Sequence, residues 1–216
     1  MSFPPACKKI AKALKPLPTL WHGKQAIREM KSADCRHWRQ MEWMGFYFQF
    51  LCERYLKGIM RIPGPVYGKT GFDGLLAVPW DFKAHAANTS SHQLIVNDWE
   101  AIAGAIKEHG SVGLILAVGD VEYNDERRTF QRWHDRLKGK QSAYVRQRIA
   151  RGAWSRLRKV SFALKEVSLI QIGQATLEQA GAFQRAFRNA DGSPRRDKVL
   201  LDLENLGEAL RMTIKF

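Results

Sequence analysis

The run Ser111 to Val118, SVGLILAV, is apolar from its second residue to its last. A segment with no polar alternation is not a half-exposed strand, and its length suits a central strand buried on both faces. Such a strand needs packed layers on both sides of its sheet. The flanking sequence supplies them. Asn97 stands at the cap position of a helix with Glu100 at the box position, and His109-Gly110 closes it. Upstream, Arg36 to Lys57 places Trp38, Met41, Met44, Phe48, Leu51 and Tyr55 at helical spacing. Trp43, Phe46, Tyr47 and Phe50 fill much of the remaining circumference, so this helix should be buried nearly all round. The expected fold class is therefore α/β, a mixed central β-sheet flanked by helices. At 216 residues the chain fits one domain, 1–216.

Between that helix and that strand lies Gly71 to His85, GFDGLLAVPWDFKAH. Leu75, Leu76, Val78, Trp80 and Phe82 are strand formers, while Gly74 and Pro79 break the run as at a bulge or hairpin bend. Within Trp80-Asp81-Phe82-Lys83 the period of two sends Asp81 and Lys83 to one face and the aromatic rings to the other. Asp73 lies just upstream. Two aspartates and a lysine converging on one face are costly to bury unpaired, and a divalent cation relieves that cost.

Asp73, Asp81 and Lys83 resemble the D…(D/E)-x-K signature of the PD-(D/E)XK nuclease superfamily, most closely its type II restriction endonucleases. Phe72 stands where the name-giving proline would be. The resemblance covers about residues 36–120, and hairpin, helix, buried strand is the element order of that restriction-endonuclease-like core. It implies Mg²⁺ held by Asp73 and Asp81, with the Phe82 carbonyl as a third ligand. Lys83 would orient or deprotonate the attacking water and offset phosphate charge. Double-stranded DNA would be cut at specific sites to leave 5′-phosphates. A homodimer matches palindromic sites.

Glu42 shares a helical face with Trp38 and Gly45 in the expected helix. It is a ligand to metal or water, the partner of a basic neighbour such as Arg39, or a solvated edge position. His85 is a candidate contact to the scissile phosphate, with a structural role as the alternative. The acids Asp120, Glu122, Asp125 and Glu126 follow the buried strand as a solvated loop or a second metal site.

Charge points to the same partner. Lys and Arg number 35 against 21 Asp and Glu, a formal charge of +14, and a polyanion is the first expectation. Arg127 to Lys159 holds twelve Lys or Arg and one acid, Asp135, on two helical segments punctuated by Gly139 and Gly152. A block of one sign repels itself unless phosphates neutralise it. The basic DNA-binding portion is expected over about 127–200, using Lys138, Lys140, Arg146, Arg148, Arg151 and Arg156. Arg195, Arg196 and Lys198, leaving the turn after Asn189, are candidates for reading bases.

Cys7, Cys35 and Cys52 lack zinc spacing and are odd in number, which suits reduced thiols in the cytoplasm. No apolar run is long enough for a signal peptide or a membrane span, so no membrane association is expected. Two other readings stand beside the restriction endonuclease. One is a Holliday-junction resolvase or transposon-end nuclease of the same fold. The other is a non-catalytic nucleic-acid-binding protein whose acids are structural.

Overall fold

The computed structural model describes residues 3–63, 71–89, 91–124, 126–141, 143–153, 156–185, 193–194, 196–206 and 209–216. It is a mixed α/β structure in which helices flank a six-stranded sheet. The chain opens with α1 (Phe3–Leu14), β1 (Leu20–His22) and α2 (Gly23–Ser32), then a 3₁₀ helix (Arg36–Arg39) and α3 (Trp43–Tyr55). The hairpin follows as β2 (Gly74–Leu76) and β3 (Val78–Ala86). Next come β4 (Gln93–Asp98), α4 (Trp99–His109) and β5 (Val112–Tyr123). The basic segment forms α5 (Thr129–Lys138) and α6 (Ala143–Ala150). The remainder is β6 (Lys159–Ile172), α7 (Gln174–Ala180), β7 (Gly181–Gln184), β8 (Lys198–Asp202) and β9 (Arg211–Lys215).

The main sheet runs β1-β6-β5-β3-β2, with β9 also on β6. β3 and β5 are parallel, Trp80 opposite Gly113 through Ala86 opposite Gly119, and every other pairing in the sheet is antiparallel. A parallel pair needs a crossover, which β4 and α4 provide. β4 leaves the main sheet and joins a second, antiparallel one in the order β4-β8-β7.

The central strand is where the sequence puts it: Val112, Leu114, Ile115, Leu116 and Ala117 are buried. Its two faces feed two cores. Ile115 and Ala117 pack with Trp80, Phe82 and the α3 side chains Trp43, Phe48 and Leu51. Leu114 and Leu116 pack with Ile102 and Ala105 of α4 and with Leu94, Val96 and Leu201 of the second sheet. The α4 helix ends on Gly110 at φ 78, the left-handed conformation glycine adopts without steric cost.

Four expectations need correction. The helix Arg36–Lys57 is two pieces, because the chain leaves helical geometry at Gln40–Glu42 and α3 begins only at Trp43. Residues 1–20, whose four prolines around the basic piece Cys7 to Leu14 read as an arm with one or two helical turns, instead carry a docked helix. Pro4 and Pro5 sit in its first turn, where a missing N–H costs nothing, and Ala6, Cys7, Ile10 and Leu14 are buried. The cap of α4 is Asp98 rather than Asn97, because Leu94 to Asn97 extend as β4. The acidic loop is partly strand, since β5 runs on through Asp120 and Glu122, which meet Lys165 at 2.6 Å and Ser161 at 2.7 Å. Asp125 lies outside the described residues. The three cysteines are unbridged. Among the described residues, no helix is long and apolar enough to cross a membrane.

Candidate active site

The hairpin reverses in a single residue. Leu76 pairs with Val78, and Ala77 between them takes φ 63. Arg61 and Leu75 exchange two backbone hydrogen bonds, of 3.0 and 2.8 Å, which hold the outer edge of β2. Gly74 is required where β2 crosses Met60, because a Cβ there would lie 2.0 Å from the Met60 sulfur. A second glycine sets the inner side. Gly113 of β5 lies opposite Trp80, and a Cβ on it would fall 2.3 Å from the indole. Trp80 is fully buried and donates its indole N–H to the Leu76 carbonyl at 2.9 Å. The residue before Asp81 is therefore fixed by packing and by a hydrogen bond.

Alternation then does what the sequence pattern requires. Trp80 and Phe82 point into the core under α3, so Asp81, Lys83 and His85 take the opposite face. Asp73, just ahead of β2, is brought alongside: its Oδ2 accepts the Phe82 backbone N–H at 2.7 Å. Lys83 Nζ stands 3.2 Å from Asp81 Oδ2. That ion pair lacks hydrogen-bond geometry, and Oδ2 has no hydrogen-bond donor among the described residues. Asp81 is only 3% exposed.

The electrostatics follow from this crowding. Burial, opposed by Lys83 and reinforced by Asp73, raises the Asp81 pKa to about 7. Burial also raises Asp73, against the pull of Lys83 and of the Phe82 N–H. For Lys83, burial works against the charge, but Asp81 and Asp73 together outweigh it and the pKa is raised. The lysine is thus held as a cation, and the two carboxyls are close enough to share a proton. A buried carboxylate oxygen with an ammonium 3.2 Å away but no hydrogen bond, beside a second acid, leaves one lysine cation to two carboxyls. The donor set is all oxygen, which suits a hard divalent cation. Among the described residues, no group of three or more His, Cys, Asp and Glu gathers tightly enough to hold a metal. A cation here would rest on Asp73, Asp81 and backbone oxygen.

Glu42 is not at this site as a helix-face ligand. It lies at the start of α3, its side chain 72% exposed, 3.5 Å from Lys159. The break at Gln40–Glu42 removes the helical register that placed it beside Trp38. An acid of α3 that acts on Asp73 through its charge, as the weakest of the influences on it, is Glu53. It raises Asp73, and burial raises its own pKa while the Gln49 amide, donating at 3.1 Å, holds it. Sequence reasoning missed it, although Gln49 and Glu53 form a polar i,i+4 pair on an otherwise apolar helix. His85 is half-buried, and burial lowers its pKa, so it is a neutral group two residues beyond Lys83.

The expected DNA contacts divide. Lys140, Arg146, Arg151 and Arg156 are exposed on and around α6, and Arg148 is half-buried there. Lys138 is tied to Asp135 at 2.9 Å, both side chains largely buried. Lys198 pairs with Asp98, and Arg196 stands 4.0 Å from Asp98 and 3.7 Å from Glu100. Asp98 is 1% exposed, so Lys198 neutralises a buried acid and is not a free reader of bases. Arg195 lies outside the described residues. No family model, curated protein or solved structure matches the chain.

Proposed function

We propose that this chain is a Mg²⁺-dependent, sequence-specific endodeoxyribonuclease of the type II restriction kind, with the fold of the PD-(D/E)XK superfamily. The observation that carries the reading is Asp81: a buried carboxylate with an unsatisfied oxygen, beside Asp73 and Lys83, on a hairpin one strand from the sheet centre. The order α3, β2, β3, α4, β5 supports the same reading, and so does the +14 charge.

Asp73, Asp81 and the Phe82 carbonyl would hold the metal. A bound Mg²⁺ would supply a water of lowered pKa and a Lewis acid for the phosphoryl oxygen. The chain's own residues do the rest. The Phe82 N–H fixes the Asp73 carboxylate, so the acid pair is preorganised before any ligand arrives. Lys83, whose charged form the two acids favour, offsets negative charge on the phosphate and orients the attacking water. Glu53 biases the protonation of Asp73 from behind. A two-fold homodimer would present two such sites to the two strands of a palindrome.

The test is a digest of phage DNA at moderate salt with Mg²⁺ or with EDTA. Discrete bands with Mg²⁺ alone are expected. DNA that is retarded but intact in both conditions would instead make the protein a binder with structural acids.

A further inference from the structure

The basic residues expected to grip DNA are partly engaged within the fold, yet another part of the surface carries cations that form no ion pair among the described residues. Four lie over two tryptophans. Lys24 and Arg28, one turn apart on α2, sit 5.9 and 5.5 Å from the centre of the Trp133 ring of α5. Lys31 and Arg39 sit 5.2 and 4.6 Å from the Trp38 ring. His134 joins the two groups: its Nε2 is 2.8 Å from the Trp38 carbonyl, and its ring lies between Trp38 and Trp133 in the row of aromatic contacts. Arg132 and Arg136, an i,i+4 pair on α5, flank Trp133 and extend the face.

All six cations are exposed. Among the described residues none of them forms an ion pair. The acids on the same elements are already committed, Glu29 to Arg54 and Tyr47 and Asp135 to Lys138. Four of these charges are held in place by ring contacts and Arg132 and Arg136 stand beside them, so the six repel one another, and an external anion of matching charge density relieves that. The rings lie beneath the cations, Trp38 only 8% exposed. Trp133 is half-buried with Lys24 and Arg28 over its ring, so the face offers chiefly charge and little open ring on which an unpaired base could stack.

We propose that α2, the 3₁₀ helix and α5 form a phosphate-binding face that docks the backbone of duplex DNA outside the cleavage site. The proposal rests on the reading of DNA as the partner. It assigns to Lys24, Arg28, Lys31, Arg39, Arg132 and Arg136 a positioning role that supplies affinity without sequence preference.

The test is binding of a fluorescent duplex, followed by anisotropy across a salt series in EDTA. Wild type is compared with Arg132→Gln/Arg136→Gln, which leaves the ring contacts in place, and with a quadruple variant adding Lys24→Gln and Arg28→Gln. Circular dichroism melts identify any variant that is unfolded. The expected result is affinity weaker by roughly 10–100-fold for the quadruple variant, with a salt slope lower in magnitude by about 3. The double variant should fall between it and wild type. Unchanged slopes in the folded double variant would overturn the proposal, as would a wild type that binds no duplex or binds phosphatidylserine vesicles equally well. Loss of binding with cleavage never seen in wild type would leave this face standing and remove the nuclease reading. Cleavage by wild type with unchanged binding by the variants would do the reverse.

Discussion

Asp73 accepts a hydrogen bond from the backbone N–H of Phe82 at 2.7 Å, which fastens the acid before the hairpin to the strand residue between Asp81 and Lys83. The three charged groups are therefore assembled by backbone geometry, and the positions around them bear predictable loads.

Gly113 is one. The Trp80 indole lies where a Cβ on Gly113 would be, and the ring is fixed by its bond to Leu76. Gly113→Ala should destabilise the fold by roughly 1–3 kcal/mol through overpacking. Urea denaturation reads this directly, and a midpoint equal to wild type would show that the ring can move aside.

Glu42, which helical spacing marks as a candidate ligand, and Glu53, which it does not, should respond differently to neutralisation. Glu53→Gln should cost roughly 10–100-fold in Mg²⁺ affinity or cleavage, the usual penalty for a group supporting a metal ligand. Glu42→Gln, with its exposed carboxylate facing Lys159, should leave both within about twofold. Calorimetric Mg²⁺ titration of the two variants separates the outcomes.

Lys198 is expected to matter for folding more than for DNA. It faces Asp98, which is 1% exposed. Lys198→Ala leaves that acid short of a partner and should cost roughly 3 kcal/mol of stability. A variant with wild-type stability and lost DNA affinity would return Lys198 to the role its sequence position suggests.

His134 gives the fold an acid limit. Burial, aided by Lys138, lowers its pKa from 6.5 to about 4. The folded state thus refuses a proton that the unfolded state accepts between those values, so stability is full above pH 6.5 and falls as the pH drops towards 4. The loss is about 2 kcal/mol once solvent screening is allowed for. His134→Gln should flatten the dependence of Tm on pH in that window, and an unaltered slope would show that other groups set it.

The parts of this fold legible in sequence are those with an unmixed period. The run SVGLILAV has the length and unbroken apolarity expected of a doubly buried strand, and alternation in WDFK separates Asp81 and Lys83 from Trp80 and Phe82. Glycines at 110, 139 and 152 mark turns, and each has positive φ. What escaped has a physical reason as well. The segment around α3 is apolar on every side, so spacing could not reveal the break at Gln40–Glu42 or choose Glu53 over Glu42. β4 begins in a polar loop and is buried by a second sheet whose partner β8 lies a hundred residues on. Such long-range pairing leaves no local mark. Lys138 and Lys198 look like free cations in a basic stretch, but Lys138 meets the single acid of its block, Asp135, one helical turn back, and Lys198 meets Asp98 across the pairing of β4 with β8.

The most direct measurement compares wild type and Asp81→Asn on duplex DNA, with thermal melts taken with and without Mg²⁺. Wild type should cut only with Mg²⁺. At a hundredfold excess over Kd, Mg²⁺ should stabilise it by about 2.7 kcal/mol, a Tm rise of roughly 5–10 °C. Asp81→Asn should bind DNA as wild type does, cut none of it, and melt at the same temperature with or without Mg²⁺. An Asp81→Asn protein that still cleaves, or still gains stability from Mg²⁺, would contradict a metal-dependent site at Asp73, Asp81 and Lys83.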